Sequence, residues 1–178
     1  MLSHRFSATG FCHKLLALPV VLIFGLGLSS CVSVDTILAP SPPKKAEGLN
    51  FNEPSFDFKS IKNNTVDRAW QDSKNGNTIA FLSECNAKTD PSLKEMENEN
   101  LAAMTNVNIT ENRDTTYNER EALFSSVNGQ VDGVEVRMRL VLFKKDNCNY
   151  TLSYVGRKKH FPSDEKIFND FVEGFKAP

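Results

Sequence analysis

The chain has 178 residues, with 21 basic and 22 acidic side chains, a formal charge of −1 and four cysteines. That length allows one domain, at most two, and the missing basic excess excludes a nucleic-acid binder, which needs a cationic face. The charge is unevenly placed: residues 1–30 carry Arg5 and Lys14 and no acid, so the rest of the chain stands at −3.

Arg5 and Lys14 precede the uncharged run Leu15 to Leu28, LLALPVVLIFGLGL, the charged and apolar regions of an export signal. A membrane-spanning helix fits less well, because such a run reaches roughly 21 Å against a hydrocarbon core of ~30 Å. Pro19 and two glycines weaken it further. The run ends in Leu28-Ser29-Ser30-Cys31, which resembles the bacterial lipobox; the alternative is an ordinary secretory signal with a chance cysteine. The resemblance implies lipidation of the Cys31 thiol, cleavage before it and N-acylation of the new terminus. Several acyl chains, at about 0.8 kcal/mol per buried methylene, hold a protein stably on a bilayer. Val32 stands where an Asp would favour inner-membrane retention. The expected location is therefore the outer membrane, on its periplasmic face rather than at the cell surface.

Residues 1–30 thus read as signal peptide and 31–48 as a lipidated tether, since 32–48 hold three prolines, one glycine and no sustained periodicity. Residues 49–178 form a single domain large enough for one core. Leu49 to Phe58 alternates only loosely, and Pro54 speaks against an interior strand. Val66 to Trp70 and Ile79 to Cys85 flank Asn75-Gly76, which predicts a hairpin, because Asn-Gly accepts the positive φ of a tight turn. Asp90 as N-cap and Pro91 at the first helical position predict a helix with Leu93, Met96, Leu101 and Met104 on one face, ending at Asn106.

The period then returns to two. Val107 and Ile109 alternate in a polar stretch, and Glu119 to Asn128 is a strand with Asn128-Gly129 at its end and Asp132-Gly133 close behind. In Val134 to Lys144, Val134, Val136, Met138, Leu140 and Leu142 share one face and Glu135, Arg137 and Arg139 the other, as in an antiparallel sheet with one buried face. Lys145-Asp146-Asn147 turns the chain into a last strand marked by Tyr150, Leu152 and Tyr154. Ser163 caps a final helix, with Asp164 and Glu165 at its positive end and an apolar stripe of Ile167, Phe168, Phe171, Val172 and Phe175. The expected class is α+β: an antiparallel sheet of about six strands, with the mid-chain and C-terminal helices packed on one face.

A hairpin carrying a Trp, a helix, a run of antiparallel strands and a short last helix with Phe168, Phe171 and Phe175 resemble, in element order and size, the PsbP-like family. Its members include an extrinsic subunit of photosystem II, a eukaryotic Ran-binding protein and bacterial lipoproteins. The resemblance implies a binding or assembly subunit rather than an enzyme, and it supplies no site residues.

Cys12 leaves with the signal and Cys31 takes lipid, so Cys85 and Cys148 remain, a candidate disulfide in an oxidising envelope. No histidine accompanies either cysteine, so metal binding is not expected, and no cofactor motif occurs. His160 is the only histidine of the mature chain, within Gly156-Arg157-Lys158-Lys159-His160. That cluster is either a base or anion site or, by default, a solvated basic loop. Glu119 and Glu121 could pair as hydrolase acids but fit the wet face of a strand. Trp70 is either a partner hot spot or packing beneath the last helix, and the Phe stripe is either an acyl-chain cavity or core. The expectation is a non-enzymatic, membrane-anchored binding or assembly subunit with an envelope protein partner. The alternative is a carrier or sensor of a small apolar or lipidic ligand.

Overall fold

A computed structural model describes residues 43–178 apart from Phe56. The expected signal, Cys31 and the tether up to residue 42 lie outside the described residues. Seven strands occur among those described: β1 (Phe58–Ser60), β2 (Arg68–Asp72), β3 (Thr78–Cys85), β4 (Thr105–Tyr117), β5 (Arg120–Val131), β6 (Val134–Lys145) and β7 (Cys148–Arg157). Helix α1 (Leu93–Leu101) separates β3 from β4, and a 3-10 turn, Phe161–Ser163, leads into α2 (Glu165–Gly174). The strands form one sheet in the order β1-β2-β3-β7-β6-β5-β4, every neighbouring pair antiparallel.

The tight turns follow from residues that accept the left-handed region. Gly76 (φ +81°) closes β2 to β3, Asp132 and Gly133 (φ +50° and +77°) close β5 to β6, and Asp146 and Asn147 (φ +50° and +59°) close β6 to β7. Asn128-Gly129, expected as a strand end, lies inside β5 instead, paired with Arg137 and Val136. The glycine serves packing there: a Cβ at residue 129 would stand 2.7 Å from Met104 Cε. Glu119, expected to open that strand, sits in the β4–β5 turn at φ +64°.

The two helices do not share a face. Along β6, Val136, Leu140 and Leu142 pack with Met96 and Leu101 of α1 and with Leu123 and Val127 of β5. Val141 and Phe143 point the other way, to Tyr150, Leu152, Phe168, Phe171 and Phe175. Period-two patterning does mark one apolar face of β6. The second emerges only where Arg137 and Arg139 give way to Val141 and Phe143, so the sheet is sandwiched between helices over its central strands.

Helix limits and caps also shift. The first helix stops at Leu101, short of Asn106, which already belongs to β4. Ser92, not Asp90, caps α1: its hydroxyl accepts from Glu95 N–H at 3.2 Å, while Glu95 Oε2 accepts from Ser92 N–H at 2.7 Å, a reciprocal capping box. Asp164, not Ser163, precedes α2, and its carboxylate is turned to Asn75 and Asn77 rather than to the helix. The last residues of the expected tether are part of the domain. Lys44 forms an isolated antiparallel bridge with Cys85, Ala46 N–H donates to Ser83 Oγ at 2.8 Å, and Asn50 forms another with Lys176. The C-terminal end of α2 is held by the β4–β5 turn, where Tyr117 hydroxyl donates to Val172 O at 2.6 Å and Asn118 Oδ1 accepts from Ala177 N–H at 3.0 Å.

Candidate functional site

The space between sheet and α2 is where an apolar ligand would go, and aromatic side chains occupy it. Phe51, from the segment before β1, stands edge-on to Phe81 at 5.0 Å and to Trp70 at 6.0 Å, and stacks with Phe175 at 6.0 Å. Trp70 meets Phe171 at 5.8 Å, Phe143 stacks on Tyr150 at 4.7 Å, and Tyr154 stacks on Phe168 at 5.5 Å. Trp70 is 2% exposed and Phe175 fully buried. The Phe stripe and Trp70 therefore serve as core.

Two polar clusters are buried on opposite faces. On the α2 side, Asn77 Nδ2 donates to Asp164 Oδ2 at 2.7 Å and lies 2.9 and 3.0 Å from the Tyr154 hydroxyl and the His160 carbonyl. Asn75 Nδ2 links Asp164 (2.8 Å) to Asp72 (3.2 Å). On the α1 side, Glu97 is fully buried and accepts from Ser125 Oγ, from Asn112 Nδ2 at 2.7 Å and from Lys94 Nζ. Each carboxylate has donors around it, which is how buried charge is tolerated. Both clusters pin elements together, Asp164 tying the β2–β3 turn to the start of α2 and Glu97 tying α1 to β4 and β5.

The basic segment 156–160 does not converge on a site. Lys158 pairs with Glu135 at 3.6 Å, and His160 begins the 3-10 turn with its carbonyl engaged by Asn77. Glu119 and Glu121 are both exposed, one in a turn and one on β5. Cys85 and Cys148 face each other in the β3–β7 register and are joined as a disulfide. Beside it lies an open cleft of about 500 Å³ lined by Asn86, Asp90, Arg120, Lys144, Asp146 and Cys148. Lys144 pairs there with Asp90 and Arg120 with Asp146 at 3.7 Å, while Lys145, also in the lining, donates to the Ala177 carbonyl at 3.2 Å. Among the described residues, no cluster of His, Cys, Asp and Glu could hold a metal ion.

The largest unpartnered feature among the described residues is β4. At 13 residues it is a long sheet edge, whereas the opposite edge, β1, has three. Residues 105–114 are all exposed, Val107 (42%) and Ile109 (39%) among them. In the sequence this strand shows only the Val107/Ile109 alternation, because a strand wet on both faces leaves no period in its hydrophobicity.

No family model and no curated protein matches the chain at the sequence level. Solved structures do match in shape. The solution structure of the cyanobacterial PsbP, CyanoP, from Synechocystis sp. PCC 6803 aligns with a TM-score of 0.53 at 9% identity, covering 85% of this chain and 99% of that one. LpqN, involved in cell envelope biogenesis of Mycobacterium tuberculosis, aligns with a TM-score of 0.54 at 10% identity, covering 78% and 87%. The fold is PsbP-like. At such identities the likeness speaks for the fold alone.

Proposed function

We propose that this chain is a lipid-anchored envelope protein, acylated on Cys31, whose domain works as a non-enzymatic binding or assembly subunit at the periplasmic face of the outer membrane. One observation carries the choice of role: the sheet–α2 interior is closed by Trp70, Phe81, Phe171, Phe175 and the inserted Phe51. Recognition then falls to the outer surface, as in a protein-binding module, and the carrier reading lacks a chamber. The fold shared with LpqN, itself tied to envelope biogenesis, supports the same direction.

Metabolic labelling with a palmitate analogue tests the anchor. The wild type should take up label and fractionate with outer membranes, and Cys31→Ala should lose both; label retained by Cys31→Ala would refute it. Crosslinking in intact envelopes followed by affinity purification tests the role, and recovery of no stoichiometric protein partner would count against it. Native mass spectrometry of protein from its own host should show no co-purifying lipid in the domain.

A further inference from the structure

We infer that β4 is a self-association edge: two copies pair antiparallel along it, with the two-fold axis at Asn112. The inference rests on the reading that recognition is external, and it adds the identity of one occupant.

An edge strand offers unpaired N–H and C=O groups to any extended chain, and proteins blunt such edges with lysine and other charges, proline, brevity or bulges. The bulges of β4 lie at Thr105–Asn108 and Ile109–Glu111, N-terminal to the regular stretch from Glu111 to Tyr117. β4, TNVNITENRDTTY, has neither lysine nor proline and is 13 residues long. What it carries instead is a short charge sequence, Glu111, Arg113 and Asp114. In an antiparallel homodimer, residues facing each other across the axis must lie on the same side of the joined sheet, so the register moves in whole-residue steps of the axis position. An axis at Glu111, at Arg113 or at Asp114 sets that charge against its own copy. An axis at Asn112 sets Glu111 against Arg113 of the second copy, twice, and leaves Asp114 facing the irregular stretch at Thr110 rather than a like charge.

The charges of β4 thus single out one register from the four that centre on this run. Opposite charges directly across a pair of strands stabilise it, and like charges do the reverse. The groups are already positioned. Arg113 lies 5.2 Å over the Phe124 ring and 3.7 Å from Glu111 of its own strand, so the dimer would close an alternating ring of four charges. On the other side of the sheet, Asn112 is held by Glu97 and Ser125, which fixes the backbone at the axis. By the two-fold symmetry, the register shift between Ile109 and Glu111 of each copy lies opposite Asp114 of the other, so it ends the regular ladder on both sides of the axis and makes the dimer short and reversible rather than an open-ended array.

A cysteine at the axis reads the register directly. Facing Cα atoms lie about 4.5–5.5 Å apart in an antiparallel pair, inside the span a disulfide needs. In the full chain, expressed in its own envelope and separated without reductant, Asn112→Cys should give a reducible homodimer. Ile109→Cys and Asp114→Cys should stay monomeric, because their copies sit several residues apart. A single cooperative thermal transition checks that each variant is folded; that of Asn112→Cys should lie below wild type, because Glu97 loses one donor. On the Asn112→Cys background, Glu111→Arg or Arg113→Glu should lower dimer yield about tenfold, and the double swap should recover it. Dimerisation through residue 114 or 109, no dimer from any folded variant, or a double swap that stays monomeric would each overturn the inference. So would capture of a different protein by the thiol introduced in Asn112→Cys, which would assign the edge to that partner. Recovery of an envelope partner by the wild type is a separate result, so the two readings fail independently.

Discussion

Asn77 shows how much one buried amide can hold. It is fully buried immediately before β3, and its Nδ2 ties the hairpin to Asp164, to the Tyr154 hydroxyl and to the His160 carbonyl. Gly156 makes room for it: a Cβ there would meet Asn77 Oδ1 at 2.0 Å. Asn77→Ala leaves the Asp164 carboxylate short of a donor and should cost about 2–3 kcal/mol in chemical denaturation. Gly156→Ala should cost about 1–3 kcal/mol through crowding.

The tyrosines give a pH signature. The chain has three, and burial raises the phenols of Tyr117, Tyr154 and Tyr150 above their ordinary value near 10. A raised phenol pKa means the folded state favours the neutral form. Its contribution is fully present below the unfolded value near 10 and is lost as pH climbs toward the folded value. Phenolate absorbance at 295 nm should therefore lag behind free tyrosine and rise together with loss of near-UV circular dichroism. A native-state titration near pH 10 would contradict the packing described for these rings.

At the scale of elements, α1 is short, polar and dependent on its cap. Ser92-x-x-Glu95 is a capping-box spacing legible in the sequence, yet the neighbouring Asp90-Pro91 offers a competing start. The structure decides for Ser92, and Lys144 engages Asp90 and the Pro91 carbonyl instead. Ser92→Ala should destabilise the domain by about 1 kcal/mol, measured as a shift in urea midpoint at unchanged slope. The box also has a pH sense. Its hydrogen bonds from Ser92 hold the Glu95 carboxyl below its ordinary value, so its contribution is present above the unfolded value near 4.5 and fades as pH falls through the lower folded one.

At the scale of the whole molecule, the sheet order places β3 beside β7, so the two halves of the chain meet at the middle of the sheet. The Cys85–Cys148 disulfide spans that seam at its cleft end, closing a sequence separation of 63 residues. A loop of that size corresponds to about 4 kcal/mol of denatured-state entropy, less any strain. Thiol titration of denatured, unreduced mature protein should detect neither cysteine. Reduction, or Cys85→Ser with Cys148→Ser, should lower the unfolding midpoint without abolishing the fold, because the β3–β7 ladder runs the full length of β3.

The sequence alone determined what local chemistry controls. Asn75-Gly76, Asp132-Gly133 and Asp146-Asn147 placed three turns, while Asn128-Gly129 proved to lie inside β5 and the turn at Asn118-Glu119 went unmarked. Alternation located β6 and β7, and the aromatic stripe defined α2. Together these were enough for an antiparallel α+β domain. The export signal and the acylation of Cys31 remain proposals drawn from the sequence, whose test is chemical rather than structural. Only the tertiary structure decided the rest. Which face each helix covers depends on Val141 and Phe143, apolar residues that complete a second core contributed by distant segments. The polar strand β4 exists because β5 pairs with it, not because its own side chains announce it, and its open edge is a consequence of strand order. Strand order is set by how apolar faces from remote parts of the chain are buried together, and no local pattern encodes that.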